Sequence, residues 1–249
     1  MPSYELARGL LDPGLFSDNG PKLEDFYGAA LGLPFLERLR HSPTYQEVFF
    51  DLPPGKLKIQ SFAEPMPGAA VTGYRELLLP RDGLRAVQRL RDPDGLDVAL
   101  VPRGWRGVTH AGVVCAVPDV EAQRRFLIEG LGAREVEGGL RVGDTQLFLE
   151  PDPDARPATP TCRRGFVYLT LIVHDCAAAH QCLLDSGAEH SARVLRLADR
   201  CLFSWVRDPG GNWIECVQYA ELSGPLPEVA RLADHWDEVA RWRDHGTPF

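Results

Sequence analysis

The segment Trp213-Ile214-Glu215-Cys216-Val217 sets a carboxylate among apolar residues. On a strand, side chains alternate between faces, so Trp213, Glu215 and Val217 point the same way. Burying a carboxylate is costly unless a cation or a hydrogen-bond donor compensates it. Glu215 is therefore read either as a reaction centre, acting as base or metal ligand, or as half of a structural pair with an arginine. His110, in Thr109-His110-Ala111-Gly112-Val113, offers an imidazole for metal binding or proton transfer; a hydrogen-bonded surface histidine fits the same position. His174-Asp175-Cys176 invites a nucleophile, but Asp175 more simply caps the helix expected after it, and no G-x-S-x-G is present. Dinucleotide and P-loop fingerprints are absent, which removes support for hydride transfer and nucleotide hydrolysis.

A repeat supplies the elements that must position these groups. Asp25-Phe26-Tyr27-Gly28-Ala29-Ala30-Leu31-Gly32-Leu33 is echoed by Arg125-Phe126-Leu127-Ile128-Glu129-Gly130-Leu131-Gly132-Ala133. Each echo reads as strand, helix and glycine stop, with Leu23, Phe26, Tyr27 and Ala30 on one side of the first helix. A second echo joins Arg91-Asp92-Pro93-Asp94-Gly95 to Arg207-Asp208-Pro209-Gly210-Gly211, each a tight turn leading into a strand. The expected order in the second half is βαββ(β) twice. In the first half the second unit looks short: a strand at 75–79, a helix around 84–90 and a strand at 98–101. Asp152 to Pro160 reads as an exposed proline-rich connection. After Pro225, the spacing of Val229, Leu232, Trp236 and Val239 predicts an amphipathic helix docked on the body or on a second subunit.

The Phe26-Tyr27 to Gly32 pattern and Asp208-Pro209-Gly210-Gly211-Asn212-Trp213-Ile214-Glu215 resemble the vicinal oxygen chelate superfamily, which includes glyoxalase I, bleomycin-resistance proteins, methylmalonyl-CoA epimerase and extradiol dioxygenases. The resemblance implies an α+β fold of tandem βαβββ units paired into two curved mixed sheets, followed by the C-terminal helix. The division it implies is a first half at 1–106, a second at 107–222 and a helical tail at 223–249. In that superfamily, metal ligands come from the first strand of a unit, often His, and from the last strand, usually Glu. Glu215 stands at the last-strand position, and His110 lies near a first strand. Tyr168 stands where a ligand His belongs in the fourth unit, as catalytic residue or core tyrosine. Gln146 and Glu150 are the remaining ligand options. Ala99, the counterpart of Glu215 in the first half, cannot bind a metal, and Asp12 near the corresponding first strand is followed by Pro13.

Two functions follow from the resemblance. The first is a divalent-metal enzyme (Fe, Mn, Ni or Zn held by His110 and Glu215), a lyase, isomerase or ring-cleaving dioxygenase acting on a small substrate with vicinal oxygens. The second is a metal-free binding or resistance protein of the same fold, sequestering a small molecule between Phe148, Tyr168, Phe203, Trp205 and Trp213. A net charge of −8 opposes a nucleic-acid partner, and no stretch has the apolar length of a membrane span. Without a signal peptide or C-x-x-C pair, the six cysteines are expected to be reduced, and the protein cytoplasmic. The tail helix leaves a homodimer open.

Overall fold

A computed structural model describes residues 2–66, 73–155 and 163–231. The helix expected around Leu232, Trp236 and Val239, the end of the proline-rich connection and Cys162 lie outside the described residues.

The first unit runs β1 (Asp12–Ser17), α1 (Gly20–Glu24) continuing into a π-helical turn over Asp25–Ala30, then β2 (Phe35–Arg40), β3 (Tyr45–Leu52) and β4 (Gly55–Phe62). The second has β5 (Tyr74–Arg81), β6 (Gln88–Arg91) and β7 (Asp97–Pro102). The third runs β8 (Ala111–Val117), α2 (Val120–Leu131), β9 (Arg134–Val136), β10 (Gly139–Val142) and β11 (Thr145–Pro151). The fourth runs β12 (Gly165–Ile172), α3 (Cys176–Asp185), β13 (Glu189–Leu197), β14 (Cys201–Arg207) and β15 (Trp213–Tyr219), ending in the single turn α4 (Ala220–Ser223).

These strands make two mixed sheets, the α+β architecture expected from the sequence. The first and fourth units share eight strands in the order β13-β14-β15-β12-β1-β4-β3-β2, and the second and third share seven in the order β6-β7-β5-β8-β11-β10-β9. Each sheet therefore takes one unit from each half. One face of each sheet meets the helices in one large core, with Leu15, Leu57, Ile59, Leu77, Val113, Leu169, Ile214 and Cys216 among its members.

The turn and helix signals act as their chemistry predicts. Asp119 and Asp175 cap α2 and α3 by accepting from the amides of Ala122 and Ala178, both at 2.9 Å. Gly32 and Gly132 close the two echoed helical segments at φ of 70° and 69°. In each Asp-Pro-x-Gly turn the aspartate binds the backbone N–H four residues on: Leu96 to Asp92 at 2.9 Å and Asn212 to Asp208 at 2.8 Å. The helical segment of the preceding unit clasps each turn from outside. Tyr27 donates its hydroxyl to Asp92 at 3.0 Å, and Gln123 donates to Asp208 at 2.7 Å.

One expected element is absent: 84–90 is not helical. Its Leu84, Val87 and Leu90 are half-buried or exposed, and the chain from Gln88 joins β7 as the edge of the seven-stranded sheet, where ladder bonds replace helical ones. The second unit is short because it lacks its helix and one strand. Cys115, Cys176, Cys201 and Cys216 are buried free thiols and Cys182 is a half-buried one.

Gly14 lets β1 approach β12, since a Cβ there would lie 2.1 Å from the Tyr168 ring. Gly14→Ala is expected to destabilise the protein by about 1 to 3 kcal/mol through overpacking, read as a lowered urea midpoint at unchanged slope. The buried His180 ring stands 5.4 Å from His190, and its Nδ1 has no partner among the described residues. Burial, and then His190, push it down to about 4 from an ordinary value of 6.5. The unfolded chain thus binds more protons between these values, so stability is full above pH 6.5 and is lost as pH falls toward 4. Urea melts of His180→Leu should show a shallower loss over that window.

Candidate functional site

The eight-stranded sheet is built around a local two-fold axis. β1 and β12 run antiparallel with Pro13 opposite Leu169, Asp12 opposite Thr170 and Gly14 opposite Tyr168. Rotation about the Pro13–Leu169 pair exchanges Asp12 with Tyr168 and Gly14 with Thr170. Gly14 lies beside Lys58 on β4, and Thr170 lies beside Glu215 on β15. Lys58 and Glu215 are therefore equivalent positions on the last strands of their units, and they meet: Lys58 Nζ donates to Glu215 Oε2 at 2.8 Å.

Both side chains are almost wholly buried, Lys58 at 3% and Glu215 at 8% exposed. Thr170 Oγ1 donates to the same carboxylate oxygen at 2.7 Å. Burial pushes the Glu215 carboxyl up, while the Lys58 ammonium pulls it back. Burial alone would lower Lys58, but Glu215, with further help from Tyr219, Glu47 and Asp12, holds its ammonium above the ordinary lysine range. Asp12 is buried, with Oδ1 accepting from the Lys56 amide at 2.9 Å and Oδ2 unpartnered among the described residues. Desolvation raises its carboxyl to about 6.

The pair forms part of the lining of a small, partly open cleft between strands of the first and fourth units. Leu39, Phe49, Phe203, Val217 and Tyr219 make apolar walls. The remaining polar walls are already engaged: His41 Nε2 lies 3.4 Å from Glu47, and Arg200 donates to both oxygens of Glu37 at 3.0 and 3.1 Å. A chain of hydrogen bonds stiffens one side. Tyr45 donates to Gln60 Oε1 at 3.0 Å, and Gln60 Nε2 donates to the Tyr168 hydroxyl at 2.7 Å.

The residues singled out from sequence fall in three places. Glu215 and Phe203 line the cleft. Tyr168, Trp205 and Trp213 are packed in the cluster beside it, with Tyr168–Trp205 centroids 4.9 Å apart and Trp205–Trp213 6.2 Å apart. His110 and Phe148 belong to the other sheet. His110 is 39% exposed just before β8, its Nδ1 3.1 Å from Thr109 Oγ1 and 3.8 Å from Asp144. It does not join Glu215. Gln146 accepts from Arg141 at 3.3 Å, and Glu150 is exposed near the end of β11.

The seven-stranded sheet repeats the two-fold design, with Leu77 opposite Val113 at its axis. The same construction makes Ala99 and Phe148 the counterparts of Lys58 and Glu215, beside Leu78 and Val114 respectively. Both sit in an apolar cluster with Leu78, Val101 and Val108, against which Trp105 packs. The concave face of this sheet is thus filled where the other holds an ion pair.

A divalent ion does not fit at Glu215. Its symmetry mate is an ammonium in direct contact, so a second cation there would face a buried like charge. The other members of the donor set are Thr170, already donating to Glu215, and Tyr168, already accepting from Gln60. Among the described residues, no three His, Cys, Asp or Glu side chains gather in a metal-holding group.

Breaking the pair on one side strands a buried charge, so Lys58→Met and Glu215→Leu are each expected to cost about 3 to 5 kcal/mol in urea denaturation. The double replacement should return to within about 1 kcal/mol of the original stability or exceed it. Two additive losses would mean that the groups do not act as a pair.

Comparison with known proteins agrees with this architecture. Glyoxalase I from Zea mays superposes with a TM-score of 0.66 at 14% identity, covering 84% of this chain and 92% of that one. A candidate dioxygenase from Bacillus subtilis subsp. subtilis str. 168 gives 0.62 at 12% identity, covering 99% and 98%. No curated protein matches the sequence. Among the described residues no helix is long and apolar enough to cross a membrane. The sequence profile of the Glyoxalase/Bleomycin resistance protein/Dioxygenase superfamily matches residues 10–216, and the chain belongs to that superfamily.

Proposed function

We propose that this protein binds a small, largely apolar molecule in the cleft between its first and fourth units, and does so without a resident divalent metal. The observation that carries this reading is Lys58, placed by the two-fold axis opposite Glu215 and bonded to it at 2.8 Å. Where the resemblance implies a carboxylate and a metal, this chain supplies a carboxylate and its own fixed cation. A cavity with apolar walls and a few convergent polar groups at one end is the ordinary form of a small-molecule site.

The Lys58 ammonium supplies a positive charge that polarises or anchors an oxygen of the bound molecule. Thr170 and Lys58 together pin Glu215, and the Tyr45–Gln60–Tyr168 chain fixes the side of the cleft. Pre-organised polar groups of this kind bind without the cost of ordering them at each encounter. The second sheet has Ala99 and Phe148 at the matching positions, and its part is to complete the fold.

Plasma mass spectrometry of untagged protein, purified and then exposed to iron, manganese, nickel or zinc, tests the reading. Bound metal far below stoichiometric is the expected outcome. About one equivalent, lost in Glu215→Ala, would overturn it and restore a metal centre.

A further inference from the structure

Resting on that reading, we infer that the polar end of the cleft recognises a neutral hydroxyl group carried on an aromatic ring. An ammonium has three N–H donors. Among the described residues, Lys58 Nζ uses one, on Glu215 Oε2. The same Oε2 also accepts from Thr170, so among the described residues one carboxylate oxygen takes both donors and Oε1 takes none. The cleft thus ends in spare donors on Nζ and a spare acceptor on Oε1, side by side because both oxygens share one carbon. Oε1 is not among the fully buried unpartnered atoms, so it is open to the cleft, where a ligand group can take it up.

A single hydroxyl satisfies both. Its oxygen accepts from Lys58 while its hydrogen points to Oε1, and neither contact requires the Lys58–Glu215 bond to break. Charge balance selects against ionised ligands. The pair is neutral as a unit, so a carboxylate or an ammonium brought to it would carry an uncompensated charge into an apolar cavity. The other charged side chains of the lining already have contacts, Glu47 with His41 Nε2 at 3.4 Å and Arg200 with both oxygens of Glu37. Phe49, Phe203 and Tyr219 supply the faces against which a flat ring packs.

The test is isothermal titration of the whole chain with four probes of one shape: naphthol, methoxynaphthalene, naphthoate and naphthylmethylammonium. Naphthol should bind tightest, by about tenfold or more over methoxynaphthalene, which accepts but cannot donate and leaves Oε1 unpaired. Both charged probes should bind more weakly than naphthol. In the Lys58→Met/Glu215→Leu double variant, which keeps the volume and removes the unpaired charge, naphthol and methoxynaphthalene should bind equally. The inference is overturned if either charged probe binds best, if the hydroxyl preference survives in the double variant, or if none of the four binds. Preference for a charged probe would leave metal-independent binding standing, whereas stoichiometric metal lost on Glu215→Ala would remove both readings.

Discussion

The ion pair between Lys58 and Glu215 joins residues 157 apart in sequence, one from the first unit and one from the fourth. Two charges removed from water are tolerable only when each answers the other and further hydrogen bonds are available. Thr170 provides one of these, and Gly14 provides the room for Tyr168 where β1 crosses it. The antiparallel register of β1 and β12 brings β4 and β15 to corresponding depths, so the pair exists because the sheet closes with this register and no other. A slip of one residue would turn Lys58 into the apolar core and leave Glu215 without its cation.

The two sheets show how one architecture separates structural from chemical use. At equivalent places they hold Lys58 with Glu215 and Ala99 with Phe148. Filling the second concavity with Leu78, Val108 and Phe148 contributes burial, while the first gives up some of that burial to keep a cleft. Fold likeness to Zea mays glyoxalase I therefore speaks to the frame, and the side chains at these positions speak to the chemistry.

Much of this frame was legible in the sequence. The helix echo, the Asp-Pro-x-Gly turns and the strand bearing Glu215 are local signals, and each is satisfied locally: Asp175 caps its helix and Asp208 closes its turn. Glu215 stood out because a carboxylate flanked by Ile214 and Cys216 has to be compensated. Its partner was not legible. Lys56, Lys58 and Gln60 alternate with Leu57 and Ile59, a pattern ordinarily read as a strand with its polar side in water, and only pairing with the fourth unit buries Lys58 and Gln60, against Glu215 and Tyr168. The arginine partner anticipated for Glu215 is a lysine from a distant unit, which no local spacing encodes. His110 lies apart from Glu215 for the converse reason: the strand that follows it belongs to the other sheet, and unit pairing is a long-range property. The 84–90 segment likewise carries helical spacing that edge pairing overrides.

The interleaved order of the units also fixes a sequence of events during synthesis. β5 and β8 belong to consecutive units, so the seven-stranded sheet can close as soon as residues up to Pro151 are available. β1 emerges first, yet its β12 edge stays open until the fourth unit appears, and the cleft has no floor until β15 follows. Contacts of such sequence separation form late because the loop they close must be ordered first. The first unit therefore spends the longest time as an unfinished sheet with an exposed edge, and among the strands that line the cleft β15 is the last to be made.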